Sequence, residues 1–373
     1  MKDKYVIPRL DFGSELVATL FEIERLRADI GTGDTPYDTY VELHRLFDFV
    51  MSVVSARIEG NHTTVYEAIE RADSRSDPQR EITNIAAAVR FIDGLDAHAP
   101  LTHAFVRELH LRVVDGLIRE GDPTPGSYRD REVAITESAH RPPSWVTVHA
   151  EMSSLLDFAN DDRPLHEQML QIAIAHHRFV WIHPFRNGNG RVSRLFTYAM
   201  LRKTIFATRG YSALNPTAVF GNDRDAYISA LEAADDLSDA GTVVWAEFFV
   251  RGIRDDVSRL VDLQRHAFVI GEVVGPALDS MRRDGLIAAQ EHDALRIALE
   301  QGVIKSGDIE HVVPGSPSHR SRFIRGLRDR NLLQQAEEGP RFYRLSLARG
   351  PIAIRLIRRL DTLGYLPRML ADD

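Results

Sequence analysis

Residues 183–194 read HPFRNGNGRVSR, and this stretch decides how the rest of the sequence is interpreted. An apolar segment ending at Ile182 precedes it, and Pro184 cannot continue a helix and restricts the residue before it. Gly188 and Gly190 allow backbone conformations that other residues avoid. The sequence therefore predicts a helix, a glycine-rich loop and the N-terminus of a second helix.

A helix N-terminus behind a glycine-rich loop presents free backbone N–H groups and the positive end of the helix dipole to an anion. Arg191 and Arg194 are three residues apart, so they lie on one face of the first helical turn. Two arginines beside such a loop suit a polyphosphate. His183 stands at the rim, where a histidine of near-neutral pKa is a candidate general base for an attacking hydroxyl.

The composition excludes several other classes of protein. The chain has 373 residues, 44% of them hydrophobic and 27% charged, with a net charge of −8, as in ordinary soluble proteins. It has no cysteine, which excludes disulfides, cysteine nucleophiles and cysteine metal sites. No apolar run is long enough for a membrane span, and residues 1–10 carry no apolar core. We therefore expect a cytoplasmic protein without a secretory signal or a membrane partner.

Apolar residues recur at helical spacing through most of the chain. The predicted helices of this part are Tyr40–Arg57, Ile82–Ile92, Phe105–Ile118, Met152–Phe158, Leu165–Ile182, Val192–Lys203 and Val243–Leu263. The main exception is Glu132–Trp145, where Val133, Ile135 and the pair Pro142 and Pro143 predict a short β-hairpin. The expected fold class is all-α with one small hairpin.

The composition shifts near residue 285. Helices are predicted at Ala288–Gln301, Lys305–Val312 and Ser316–Asn331, followed by two strands within Leu332–Leu345. Three helices and a hairpin in this order are typical of a winged helix-turn-helix domain. The predicted domains are an N-terminal helical region, a helical core and the winged helix, at residues 1–100, 101–270 and 280–373.

The third helix of the predicted winged domain is rich in basic side chains. They are His319, Arg320, Arg322, Arg325, Arg328 and Arg330. Such a helix can bind the major groove of DNA. Glu337 and Glu338 at the predicted tip of the wing count against DNA, because contacts with phosphate favour Arg or Lys. DNA and protein both stay open as partners of this domain.

The stretch at 183–194 resembles the signature of the Fic family, His-x-Phe-x-(Asp/Glu)-Gly-Asn-Gly-Arg-x-x-Arg, at every fixed position except Asn187. The resemblance implies a helical Fic core that transfers the AMP part of ATP to a Ser, Thr or Tyr hydroxyl of a target protein. It makes His183 the base that deprotonates this hydroxyl and Phe185 the anchor of the loop. The implied phosphate-binding residues are Gly188, Asn189, Gly190, Arg191 and Arg194.

Most of the family has Asp or Glu at the position of Asn187, where the carboxylate coordinates the magnesium ion of ATP. Asn keeps one oxygen donor and loses the charge, while Mg²⁺ takes most of its ligands from phosphates and water in such sites. We therefore expect Mg²⁺, or Mn²⁺ in its place, to bind more weakly at Asn187.

Two further segments resemble parts of the Fic active site. Glu132–Trp145 resembles the flap on which an extended segment of the target pairs by strand addition, and Val133 and Ile135 would then flank the nucleotide. Residues 222–231, NDRDAYISAL, resemble the segment before the family's adenine-contacting helix. Tyr227 is the aromatic residue there, and an aromatic face can stack on a base.

Residues 55–60, SARIEG, end the helix predicted at Tyr40–Arg57, with Ser55 and Glu59 four residues apart on one face. A glutamate at a helix C-terminus is electrostatically unfavourable, which suggests a cationic partner. The segment resembles the Fic inhibitory motif, (Ser/Thr)-x-x-x-Glu-(Gly/Asn). The resemblance implies that Glu59 pairs with Arg194 in place of the ATP γ-phosphate, so that the resting protein is nearly inactive.

Two alternatives to protein adenylyltransferase stay open. One is a DNA-binding regulator whose Fic core senses a nucleotide with weak or no catalysis, as Asn187 would allow. The other is transfer of a different phosphate-containing group by the same fold. His176 and His177 lack the acidic or histidine spacing of a metal site, and a homodimer is left open.

Overall fold

The computed structural model of the protein describes residues 4–70, 74–96, 98–135, 138–204 and 217–370. The α-helices are α1 (Glu15–Asp29), α2 (Tyr37–Ile58), α3 (Val65–Glu70), α4 (Asp77–Asp93), α5 (His103–Val114), α6 (Val148–Asn160), α7 (Leu165–Ile182), α8 (Asn189–Thr204), α9 (Thr217–Gly221), α10 (Arg224–Ala234), α11 (Asp239–Leu263), α12 (His266–Phe268), α13 (Gly275–Arg283), α14 (Ala289–Gln301), α15 (Pro317–Asp329) and α16 (Gly350–Thr362). A π-helical segment, Val269–Val274, lies between α12 and α13, and two strands, β1 (Leu333–Gln335) and β2 (Tyr343–Leu345), follow α15. The predicted all-α fold class is confirmed.

The chain divides into two compact units. The first comprises Met1–Ala28, Met51–Ser258 and Pro367–Asp372, and the second comprises Asp29–Val50, Arg259–Leu366 and Asp373. The glycine-rich loop at residues 183–194 lies in the first unit. The predicted division at residues 1–100, 101–270 and 280–373 stays a prediction.

Helices α7 and α8 form the centre of the first unit. Helix α7 is buried on nearly every side from Met169 to Phe179, and it packs against α8 and α6. Helix α8 packs in turn against α4 and α5. Because α7 is buried on nearly every side, neighbouring helices cover it, and this packing fixes the position from which the loop to α8 begins. None of the helices in the described ranges is both long enough and apolar enough to cross a membrane.

The β-hairpin predicted at Glu132–Trp145 contains no strand in its described residues, 132–135 and 138–145. An isolated pair of short strands is marginally stable in water. Here the carbonyls of Arg131 and Pro143 accept hydrogen bonds from the Arg129 guanidinium instead of from a facing strand. One side chain thus binds the chain at Arg131, just before the segment, and at Pro143 near its end.

The tail of the second unit contains α14, α15 and an antiparallel pair in which Leu333 of β1 faces Leu345 of β2. The helix predicted at Lys305–Val312 is wrong, because this segment forms consecutive turns. The segment is short and contains Gly307, which has a low helix propensity. The free-energy cost of starting a helix is therefore not offset over so few residues. The winged-helix assignment stays a prediction.

Candidate active site

The loop between α7 and α8 is folded by its own side chains. His183 ends α7 in the left-handed region (φ 51°, ψ 62°), and its N–H donates to the Phe179 carbonyl at 3.1 Å. Asn189 Oδ1 accepts from the Phe185 N–H at 2.8 Å, and Asn189 Nδ2 donates to the Phe185 carbonyl at 2.9 Å. Gly188 has φ 76°, which glycine adopts without strain. Asn189 was predicted to cradle phosphate, and the structure shows its amide closing the loop around the buried Phe185.

Arg194 in the first turns of α8 is buried and held by the end of α2. Its Nε donates to Ser55 Oγ at 3.0 Å, and its Nη2 donates to the Ser55 carbonyl at 2.9 Å and to Glu59 Oε1 at 2.8 Å. Gly60 ends the helical path with φ 92° and lets Glu59 turn toward α8. The contact that the inhibitory motif predicts is therefore present.

The Glu59 carboxylate lies against the glycine-rich turn. A Cβ atom at Gly190 would lie 2.2 Å from Glu59 Oε1, so only glycine leaves room for this anion. Burial alone would raise the pKa of Glu59, but the charges of Arg194 and Arg191 outweigh it and lower the pKa. An ionised carboxylate thus occupies the place that the sequence predicts for an anion.

Arg191 has different partners from Arg194. Its side chain is fully buried, with Nη1 2.9 Å from Glu81 Oε1 of α4 and Nη2 donating to the Glu120 carbonyl at 2.9 Å. Asn61 Nδ2 donates to the other oxygen of Glu81 at 2.9 Å. The spacing of the two arginines predicts a shared face. In this conformation Arg194 binds Glu59, whereas Arg191 pairs with Glu81.

His183 is half-buried, and its pKa is lowered to about 4. Burial is the main cause, and the charges of Arg129 and His140 act in the same direction. The Val180 carbonyl and the Glu59 carboxylate oppose the shift. The imidazole is therefore neutral near pH 7 and has a lone pair that can accept a proton.

A helical core, a glycine-rich turn at the start of α8 and a neutral histidine at the end of α7 can be compared with known proteins. Residues 100–201 match the Fic/DOC family. This part of the chain is a Fic domain.

The similarity of this chain to known proteins extends beyond residues 100–201. The protein adenylyltransferase Fic of Culex quinquefasciatus is 28% identical over 249 residues, which are 64% of this chain and 46% of that protein. The protein adenylyltransferase Fic of Drosophila grimshawi is 30% identical over 274 residues, 70% of this chain and 52% of that protein. The chain thus spans about half the length of these relatives.

Solved structures support the fold. A Fic family protein from Desulfovibrio desulfuricans has a TM-score of 0.55 and 22% identity, and the match covers 91% of this chain and 98% of that chain. At this identity the likeness concerns the fold alone.

The chain departs from the Fic signature at Asn187, whose side chain hydrogen-bonds within its own loop. Asn187 Oδ1 accepts from the Gly188 N–H at 2.6 Å, while Nδ2 faces Glu120 Oε2 at 3.4 Å and the Gly121 carbonyl at 3.3 Å. The amide oxygen is therefore used within its own loop in this conformation, and the assignment of Asn187 to magnesium stays a prediction. Elsewhere in the described ranges no group of three or more His, Cys, Asp or Glu side chains could bind a metal.

Tyr227, predicted to stack on adenine, lies in the core of the Fic domain's unit. Its side chain is 5% exposed, its hydroxyl is 3.0 Å from His176 Nε2, and its ring packs against Phe220 and Trp245. The ring is buried in this conformation, and the hydroxyl interacts with Arg194 of the anion site. Its contact with a nucleotide stays a prediction. Val133 and Ile135 are half-buried in the segment after Arg131.

The two histidines before the loop are structural. His176 Nδ1 lies 2.7 Å from Thr197 Oγ1, and His177 Nε2 lies 3.1 Å from Asp235 Oδ1. Both are buried, and burial lowers the pKa of each. They link α7 to its neighbours.

His110 is a residue of the site that sequence reasoning missed. Its Nδ1 accepts from the Gly126 N–H at 2.9 Å, which leaves Nε2–H to donate to the Asn187 carbonyl at 3.2 Å. Its ring stacks on Phe185 with 3.8 Å between centroids. In the sequence it is one histidine on an amphipathic helix, and its role depends on contacts with distant segments. Arg129, described below, was missed for the same reason.

Proposed function

We propose that the Fic domain transfers AMP from ATP to a hydroxyl side chain of a target protein. The observation that carries this proposal is a neutral His183 beside a glycine-rich turn whose anion position holds the Glu59 carboxylate. A carboxylate bound to Arg194 marks where a phosphate group would bind, because both anions suit the same guanidinium. The names of the relatives, protein adenylyltransferases, support the same reaction.

In the proposed reaction the target hydroxyl attacks the α-phosphorus of ATP. The new O–P bond forms, the bond between the α-phosphorus and the bridging oxygen of the β-phosphate breaks, and pyrophosphate leaves. His183 accepts the hydroxyl proton, and with a pKa of about 4 it is unprotonated near pH 7. Gly190 leaves room for phosphate oxygens, and Arg194 balances their charge once Glu59 withdraws.

We propose that Glu59 inhibits this reaction in the resting protein. Ser55 and Glu59 supply three hydrogen-bond acceptors to Arg194, so a phosphate must displace the carboxylate before it can use the guanidinium. Arginine–carboxylate pairs are strong in partly buried sites. ATP should therefore bind without its terminal phosphate on Arg194.

The metal of this reaction enters with its substrate. We assign Mg²⁺, or Mn²⁺ in its place, to the metal–ATP complex, because Asn187 provides one neutral amide oxygen and that oxygen accepts a hydrogen bond from Gly188.

The segment between Glu132 and Trp145 is the proposed docking edge for the target. Val133 and Ile135 lie on its described part, and a target peptide would add there by main-chain hydrogen bonds. The target is thus a protein segment with a Ser, Thr or Tyr at the level of His183.

Labelled ATP tests the proposal. Wild type, Glu59→Gly and His183→Ala in the Glu59→Gly background are incubated with α-labelled ATP and either Mg²⁺ or Mn²⁺, and self-labelling is measured. We expect label in Glu59→Gly well above wild type and its loss in the double variant. Absence of label in Glu59→Gly, when a binding assay shows that ATP is bound, would contradict both catalysis and autoinhibition.

A second candidate function is DNA binding by the tail. On α15, His319, Arg322 and Arg325 are exposed, whereas Arg320 is buried and paired with Glu310 at 3.2 Å. Exposed arginines on one helix suit phosphate contacts. If this function holds, duplex binding weakens steeply with salt and falls in Arg322→Gln with Arg325→Gln; no binding at low salt eliminates it.

A further inference from the structure

One buried arginine binds the end of α7 next to the proposed base. Arg129 is 3% exposed, its Nε donates to the His183 carbonyl at 2.9 Å, and its Nη2 reaches the Ile182 carbonyl at 3.4 Å. Its main-chain N–H donates to the Pro184 carbonyl at 2.9 Å. The last carbonyls of a helix have no partner within the helix. Arg129 therefore satisfies three consecutive carbonyls at this helix end.

The same guanidinium holds both ends of the proposed docking segment. Arg129 Nη1 donates to the Arg131 carbonyl at 3.2 Å, and Nη2 donates to the Pro143 carbonyl. Five carbonyls from two chain segments thus converge on one residue. A movement of the docking segment relative to His183 would break these bonds.

His183 also needs outside support for its backbone. Its φ of 51° lies in the left-handed region, which is unfavourable for a residue with a Cβ atom. Such conformations persist where the surroundings hold them. Arg129 supplies this support at the His183 carbonyl, and its charge acts with burial and His140, and against Glu59, to lower the pKa of His183.

We propose that Arg129 is a positioning residue that fixes His183 relative to the docking segment at residues 131–143. This inference rests on the AMP transfer proposed above. Arg129 need not touch the nucleotide; it sets the distance between the base and the hydroxyl that the docked target presents. A misplacement of about 1 Å can cost about a hundredfold in rate.

The test uses the full-length Glu59→Gly protein as parent, with Arg129→Gln and Arg129→Lys added. Lys keeps the charge and the main-chain bond to Pro184, but its single ammonium cannot reach the four carbonyls that the guanidinium binds. Arg251→Gln is the matched control, because it makes the same charge change at an exposed side chain of α11, outside the docking segment. Labelling rate, ATP affinity, thermal unfolding and the His183 titration by NMR are measured for each.

We expect both Arg129 variants to lose about a hundredfold in labelling rate while ATP affinity stays within about twofold of the parent. In Arg129→Gln the His183 pKa should rise, because a nearby cation is lost, and in Arg129→Lys it should stay close to the parent. Arg251→Gln should match the parent in every readout.

Two results would overturn the inference. One is an unchanged labelling rate in folded Arg129→Gln. The other is a parallel loss of ATP affinity or folding in both Arg129 variants, which would make the residue structural only. If the parent itself does not label, the proposed function fails, and an unchanged His183 titration in Arg129→Gln then overturns this inference separately.

Discussion

Arg191 and Arg194 show how neighbouring residues of one signature take different roles. Arg194 is bound by Ser55 and Glu59 at the end of α2, whereas Arg191 pairs with Glu81 inside α4. The Glu59 carboxylate at the end of α2 is 27% exposed and can move without repacking the core. Glu81 is 4% exposed, so its separation from Arg191 would leave an uncompensated charge in the core. We infer that Arg194 is the arginine freed for phosphate when the resting contact opens.

The amide of Asn187 leads to a prediction about the magnesium requirement. Asn187→Asp, in the Glu59→Gly background, should lower the Mg²⁺ concentration that gives half-maximal labelling by about threefold to tenfold, because a carboxylate attracts a divalent cation more strongly than an amide does. Half-maximal Mg²⁺ is measured at saturating ATP. Asn331→Asp, at an exposed position of the second unit, is the control. An unchanged Mg²⁺ requirement in Asn187→Asp would refute the role of this position.

Each hydrogen bond between the end of α2 and Arg194 should contribute separately to the inhibition of AMP transfer. Ser55→Ala removes the Oγ acceptor of Arg194 Nε and keeps the Ser55 carbonyl and Glu59 in place. Hydrogen bonds to charged groups contribute about 1.5–3 kcal/mol. Self-labelling of Ser55→Ala should therefore lie between wild type and Glu59→Gly, about tenfold or more above wild type. Labelling at the wild-type level would show that Ser55 does not restrain Arg194; Ser154→Ala, exposed on α6, is the control.

Elements were predictable where the pattern is local. Helix α7 occupies the predicted Leu165–Ile182, because its apolar periodicity and Pro184 determine both its period and its end. The described residues of Glu132–Trp145 form no strand, and Arg129, from outside the segment, takes the Pro143 carbonyl that a ladder could use. Tyr227 of α10 packs in an aromatic cluster that periodicity does not locate, and its contact with a nucleotide stays a prediction.

The site was predictable to the extent that it is written in contiguous residues. The loop and the Glu59–Arg194 contact follow from two short motifs, and the contact is present at 2.8 Å. Glu81, His110 and Arg129 could not be predicted, because their partners are far along the chain and nothing in their local spacing indicates the pairing.

For the whole molecule, the net charge of −8 hides a core that keeps several ionisable groups neutral. Burial lowers the pKa of His176 and His177 in α7 and of His183 at its end, and of His110 in α5. Each binds a proton in the unfolded chain at a pH at which the folded protein excludes it. The molecule should therefore lose stability in mild acid before most carboxylates protonate.

His110 isolates one part of this acid sensitivity. It is fully buried and its pKa is lowered to about 4, chiefly by burial and against the opposing charge of Asp122, from an ordinary value of 6.5. Its contribution is complete above pH 6.5 and is lost as the pH falls toward 4, because the unfolded chain then binds a proton that the folded state does not. One proton corresponds to about 1.4 kcal/mol per pH unit.

His110→Gln should destabilise the protein at pH 7, since it removes the link between Gly126 and Asn187, and the deficit should shrink between pH 6.5 and 4.5. The free energy of unfolding, measured by chemical denaturation across this range, should have a slope that is lower than wild type by up to one proton. His98→Gln, at an exposed position, should keep the wild-type slope. A His110→Gln slope equal to wild type would mean that His110 is protonated in the folded state, and its Nδ1 could then no longer accept the Gly126 N–H that orders the loop.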